Sequence, residues 1–156
     1  MSEPSIETFI DEIAQVWAFE TGDGGTMRSF GLMEIPDAIT PTMSPCVFSY
    51  PLSCKPQYST GGPTLLFWRG RSEFHLTNDV KPANTAYVVS FFRRILKAAM
   101  GNLTLHGTVE LFVIPEEDEA LTFATFKRAD GADDHQGIVV LWDVKQAVTG
   151  SYSVSA

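Results

Sequence analysis

The sequence predicts an α+β fold: one domain built on a mainly antiparallel sheet, with two helices packed on one face. Three observations carry that expectation. Apolar residues recur at helical spacing in two separate stretches, they alternate with polar residues from Leu103 to Val144, and proline and glycine punctuate the segments between. The chain has 156 residues, 44% hydrophobic and 19% charged, which suits a single folded core and excludes a disordered polymer. No repeat and no internal domain boundary divide residues 1–156, and a flexible polar tail is expected from about Gly150.

The first helix is expected from about Ser5 to Phe19. Ile6, Phe9, Ile10, Ile13, Val16 and Trp17 make one apolar stripe. Pro4 and Ser5 are start signals, and Glu7, Asp11 and Glu12 lie in the first turns, where the helix dipole favours acids. Gly22-Asp23-Gly24-Gly25 then reads as a flexible connector. It lacks the Lys and Ser/Thr of a phosphate-binding loop and opens no helix.

Prolines at Pro36, Pro41 and Pro45 keep the next stretch as loop until a short strand, Cys46 to Tyr50, closed by Pro51. Leu52 to Pro63 is expected to be a second loop, of a length that is often functional or ordered by a partner. Thr64 to Asp79 reads as a strand pair or one bent strand, with Arg69-Gly70-Arg71 marking a bend or bulge. Lys81-Pro82 opens the second helix, from about Ala83 to Met100. Its expected core stripe is Val88, Phe91, Phe92, Ile95, Leu96 and Ala99, and Gly101 is the stop signal. Leu103 to Ile114, Leu121 to Phe126 and Gly137 to Val144 then alternate as three strands of an antiparallel meander. Their expected turns are acidic Glu116-Glu117-Asp118-Glu119 and a tip at Asp130-Gly131.

The net charge of -8 argues against non-specific binding to nucleic acid, a polyanion with about one charge per 1.7 Å of duplex axis. The acidic balance serves solubility or a surface that repels passing DNA. No run of about 18 apolar residues marks a membrane span. The N-terminus has neither the basic flank nor the apolar run of a signal peptide, so a cytoplasmic setting is expected. Cys46 and Cys54 are too few for a disulfide scaffold or a structural zinc, and buried, inert thiols are expected.

No catalytic motif is present, and no catalytic, cofactor-binding or metal-binding residues are assigned. His75, His106 and His135 are expected on strand or turn surfaces. Asp130, Asp133 and Asp134 lack the ligand spacing of a calcium loop and read as a solvated hairpin tip. Arg69, Arg71, Arg93, Arg94 and Lys97 form two basic spots. These complement the helix dipole and solvate the surface, or they meet acidic loops of a neighbouring copy in head-to-tail association.

The order of segments resembles the tail terminator proteins of long-tailed bacteriophages. The features that carry it are the N-terminal amphipathic helix and a loop ending Ile35-Pro36-Asp37-Ala38-Ile39-Thr40. Next come the strand Pro45-Cys46-Val47-Phe48-Ser49-Tyr50-Pro51, a helix from Ala83, and Leu105-His106-Gly107-Thr108-Val109 before a closing hairpin. The resemblance implies a structural virion subunit, assembled in the host cytoplasm as a hexameric ring. That ring caps the tail tube protein and joins it to the head connector protein, with no enzyme activity, cofactor, membrane or specific nucleic acid. By position, Leu52, Tyr58, Gly61 and Gly62 are candidate ring or tube contacts; Arg69, Arg71, Glu116, Glu117 and Asp118 are candidate charged ones. Two other classes stay open: a stopper or head completion adaptor, and a small-molecule binding domain or enzyme whose pocket Trp68, Phe74, Phe91 and Trp142 would line.

Overall fold

The computed structural model describes residues 6–22, 24–31, 44–58, 60–77, 80–127 and 134–148. The expected Ile35–Thr40 loop, the Asp130-Gly131 turn, Asp133, the helix-start signals Pro4 and Ser5, and the tail from Gly150 lie outside them. The fold is α+β: two helices and a mixed sheet in which strands dominate.

Helix α1 spans Ile6–Trp17 and buries Phe9, Ile10, Ile13, Val16 and Trp17. Strand β1 is Arg28–Phe30, β2 is Cys46–Gln57 and β3 is Thr64–His75. A 3-10 turn at Pro82–Asn84 leads into α2, Thr85–Met100, so the second helix begins two residues later than its proline signal suggested. Strands β4 (Leu111–Val113), β5 (Leu121–Phe126) and β6 (His135–Val148) are the remaining described elements.

β6 is the spine of the sheet. One edge pairs with β3 along its whole length, from Thr64↔Val148 to His75↔Gly137. The other edge takes β5 at its start and β4 further on. These pairings and β2·β3 are antiparallel, whereas β1·β2 is parallel. Since β4 and β5 both pair with β6, the three last strands are not a meander.

Three further expectations fail for local reasons. β2 does not close at Pro51. It runs to Gln57 through Pro51 and Pro56, because β1 covers only Cys46 to Phe48 and an edge strand tolerates missing N–H groups. The expected twelve-residue loop therefore shrinks to a turn around Gly61, whose φ is +77. The bulge signalled by Arg69-Gly70-Arg71 falls on the facing strand, where the register shifts between Pro51 and Ser53. Gly70 itself stays in the ladder because the Trp142 indole lies across it; a Cβ there would sit 2.0 Å from that ring. Finally, 101–110 is a series of turns and not a strand. Its backbone groups bond locally, with Leu105 N–H to Asn102 O and Val109 N–H to Thr104 O. The Asn102 and Thr108 side chains add bonds to Ala98 O and Leu105 O. Leu105 and Val109 still reach the core from that turn.

One core unites α1, α2 and the sheet. Phe9, Trp17, Phe91 and Ile95 from the helices meet Val47, Phe74, Ile138, Val140 and Trp142 from the strands. At its centre Ser72 Oγ accepts from Trp17 Nε1 at 3.0 Å and from Trp142 Nε1 at 3.1 Å. With both lone pairs taken, Ser72 must donate its own proton to Ser49 Oγ, 2.8 Å away. Phe74, Phe91 and Trp142 are fully buried and Trp68 packs, partly buried, against the same cluster, so these four contribute to the core.

Candidate functional site

Alternation along β3 sends Trp68, Gly70, Ser72 and Phe74 towards the core and Arg69, Arg71, Glu73 and His75 to the opposite face. That second face collects the titratable groups. Tyr50 on β2 donates its phenol proton to Glu73 Oε2 at 2.5 Å. The other carboxylate oxygen of Glu73 stands 3.7 Å from His75 Nε2. His75 Nδ1 and His135 Nε2 are 2.6 Å apart. The four side chains form a line across three strands.

The histidine end is sealed. His75 is 2% exposed and His135 1%. Phe126 lies against both rings, at 4.0 and 5.4 Å between centroids, and Phe48 meets His75 edge-on at 5.3 Å. The expectation of surface histidines is thus wrong for these two, while His106 does sit in an exposed turn, 2.8 Å from Glu12. Nitrogens binding one zinc at about 2.0–2.1 Å in a tetrahedron would stand about 3.3 Å apart. At 2.6 Å the two rings share a proton instead, so one donates and the other accepts. Among the described residues no group of three His, Cys, Asp or Glu is placed to hold a metal ion.

The half-buried end carries Tyr50, whose pKa is pushed up to about 12 by burial first, then by the bond to Glu73 and its negative charge, against an opposing pull from Arg71. Arg71 stands opposite Tyr50 in the ladder, and its Nε has no hydrogen-bond partner among the described residues. Cys46, opposite His75, is fully buried, and desolvation raises its thiol to about 12 despite nearby Arg28. It is a protonated, inert thiol. Cys54 is also free but exposed, contrary to expectation.

The other candidate residues fall in three places. Leu52 is the extra residue of the β2 bulge and is exposed midway along the strand, beside the Arg69–Gly70 stretch of β3. Tyr58 is exposed at the end of the β2–β3 hairpin, near Gly61 and Gly62 in the turn. Glu116 and Asp118 are exposed in the loop before β5. Arg69 and Glu117 meet within one chain: Arg69 Nη1 and Nη2 donate to Glu117 at 3.0 and 2.6 Å, while Nε and Nη2 hold Asp143 at 2.8 and 3.0 Å. Asp143 first, then Glu117, raise the pKa of Arg69. This fork ties the acidic loop to the sheet, so these two charges are already engaged inside the subunit.

Glu73, His75, His135 and Tyr50 were not singled out as a group by the sequence. The one available signal was parity, which puts Glu73 and His75 on the same strand face; nothing local links them to Tyr50 or to His135, 60 residues on from His75. Comparison with protein-family models finds no match, and comparison with curated proteins finds none either.

Proposed function

We propose that this chain is the subunit of a phage tail terminator, a hexameric ring with both helices on one face of a mainly antiparallel sheet. Such a ring caps the tail tube and joins it to the head connector. The observation that carries this reading is the β2–β3 hairpin. From Leu52 to Gln57 six successive strand residues are exposed, so neither face of that strand is buried within the subunit. Leu52, Tyr58 and Phe67 add exposed apolar groups there. A ladder that a subunit builds and does not bury is a contact arm for a neighbour or a tube end. The Pro51, Lys55 and Pro56 side chains guard its edge against indiscriminate strand pairing, which directs contact to its faces.

The net charge of -8 supports the reading further, since a lumen crossed by DNA must not hold it. The test is electron microscopy of the protein mixed with tubes of its cognate tail tube protein. Rings seated at tube ends are the expected result, and Leu52→Glu with Tyr58→Ala should leave the ends bare. Tubes that end without added density in the parent mixture would refute the assignment.

A stopper or head completion adaptor would use the same arm, and rings on the connector but not on tubes would favour it. The Tyr50–Glu73 pair supports a second reading, a small-molecule site at the half-buried end of the polar line. On that reading Tyr50→Phe abolishes ligand binding while any ring persists.

A further inference from the structure

We propose that the outer face of α2 and the 114–121 loop form the seam through which a second copy of this chain docks head to tail. The proposal rests on the ring reading and deepens it by naming the surfaces that meet.

The core stripe of α2 is Val88, Phe91, Ile95 and Ala99. One residue further on, and so about 100° around the helix, lies a second apolar stripe at the same spacing: Val89, Phe92, Leu96 and Met100. Val89 is 48% exposed, Leu96 40% and Met100 71%. Phe92 is half-buried against Phe123, at 4.9 Å between ring centroids, and Phe123 is itself exposed and widens the strip. The expected placement of Leu96 in the core stripe is corrected accordingly, while Phe92 packs at the margin of the core. An apolar strip of this length on a regular helix is a surface that a partner covers.

Its flanks say which partner. On one side Leu96 shares a groove with the 114–121 loop, which carries Glu116, Glu117, Asp118 and Glu119. Among the described residues, only Glu117 of these four has an ion pair, with Arg69. Arg93 and Lys97 each follow a stripe residue by one position and so border the strip on its other side; both are exposed, and neither has an ion pair among the described residues. The strip therefore separates Glu116 and Asp118 from Arg93 and Lys97, four charges with no ion pair among the described residues. An antiparallel twofold pairing about an axis across α2 would lay acid on acid. A twofold along α2 would pair the edges but stop at a dimer, so a parent that assembles no further than a dimer also refutes the head-to-tail seam. A copy displaced sideways, head to tail, lays the Arg93 and Lys97 edge of one subunit on the Glu116 and Asp118 edge of the next. Opposed charges then fix the register while the apolar strip supplies the burial. Heterologous contacts of this kind close into rings when the rotation allows.

The experiment uses the full chain and two double variants, Arg93→Glu with Lys97→Glu and Glu116→Lys with Asp118→Lys. All four positions are exposed, and unchanged thermal unfolding verifies the fold. Sedimentation across a concentration series should show the parent assembling and each variant alone associating at least about tenfold more weakly. An equimolar mixture should assemble again, because each reversed edge then meets its reversed complement. A parent that stays monomeric refutes both the ring and the seam. A parent that assembles, with both variants assembling equally well alone, refutes the seam and leaves the ring standing. Variants that fail alone and fail again when mixed refute the complementary pairing of these two edges.

Discussion

Replacing Ser72 by Ala removes one oxygen and strands two indoles. Ser72, Trp17 and Trp142 are all fully buried, and both Nε1 groups donate to the same Ser72 Oγ. A buried donor left without an acceptor costs about 1–3 kcal/mol, so two cost about 2–6 kcal/mol. Ser49 Oγ, 2.8 Å from Ser72, is near enough to take one N–H after a small shift, which favours the lower half of that range. Domains of this size have about 5–15 kcal/mol of stability in total, so the variant should remain folded but fragile. Ser49→Ala is the control. It strands one buried donor, the Ser72 O–H, in place of two and should cost about 1–3 kcal/mol. Urea unfolding followed by tryptophan fluorescence measures both, and each kcal/mol should lower Tm by about 2–4 °C. A Ser72→Ala cost below about 1 kcal/mol, or one no larger than that of Ser49→Ala, would refute the claim that Ser72 is the shared acceptor.

In the native protein Cys54 should react with a thiol reagent at once and Cys46 only on unfolding, and rapid release of both thiols would contradict the burial of Cys46. Tyr50, with its pKa near 12, prefers the neutral phenol more strongly folded than unfolded. Its contribution to stability is whole below about pH 10 and is lost as pH rises from there through about 12. Absorbance titration at 295 nm should therefore show one late-ionising tyrosine that Tyr50→Phe removes, and an unchanged curve in that variant would count against the Glu73 contact. Glu117→Gln should cost no more than about 1 kcal/mol in thermal unfolding, because the Arg69 fork is more than a third exposed and keeps Asp143. Its larger effect should be faster hydrogen exchange in the 114–121 loop, which loses its tie to the sheet.

Where local periodicity decides the outcome, the sequence was enough. Phe9, Ile10, Ile13, Val16 and Trp17 had only one helical face to occupy, and all five are core. β6 alternated without interruption from Ile138 to Val144 and became the spine. On α2 the apolar arc is wider than one packing face, so periodicity could not decide which stripe turned inwards; Leu96 went out and Ala99 in. Leu105 and Val109 alternated as a strand would, yet Asn102, Thr104 and Thr108 offered the backbone nearer partners, and positive φ at Leu105, His106 and Gly107 curled the segment. Prolines at Pro51 and Pro56 signalled loop because nothing in the sequence told that β2 would be an edge beyond Phe48. The polar line was hidden for a similar reason. Tyr50, Glu73 and His135 come from three strands whose order in the sheet no local pattern specifies.

The central claim, that the chain works by assembling with itself, is tested most directly by native mass measurement of the purified full-length protein over a range of concentrations. The account predicts a discrete closed species of hexamer mass that persists on dilution and dissociates in Arg93→Glu with Lys97→Glu. A single monomer mass at every concentration would contradict it.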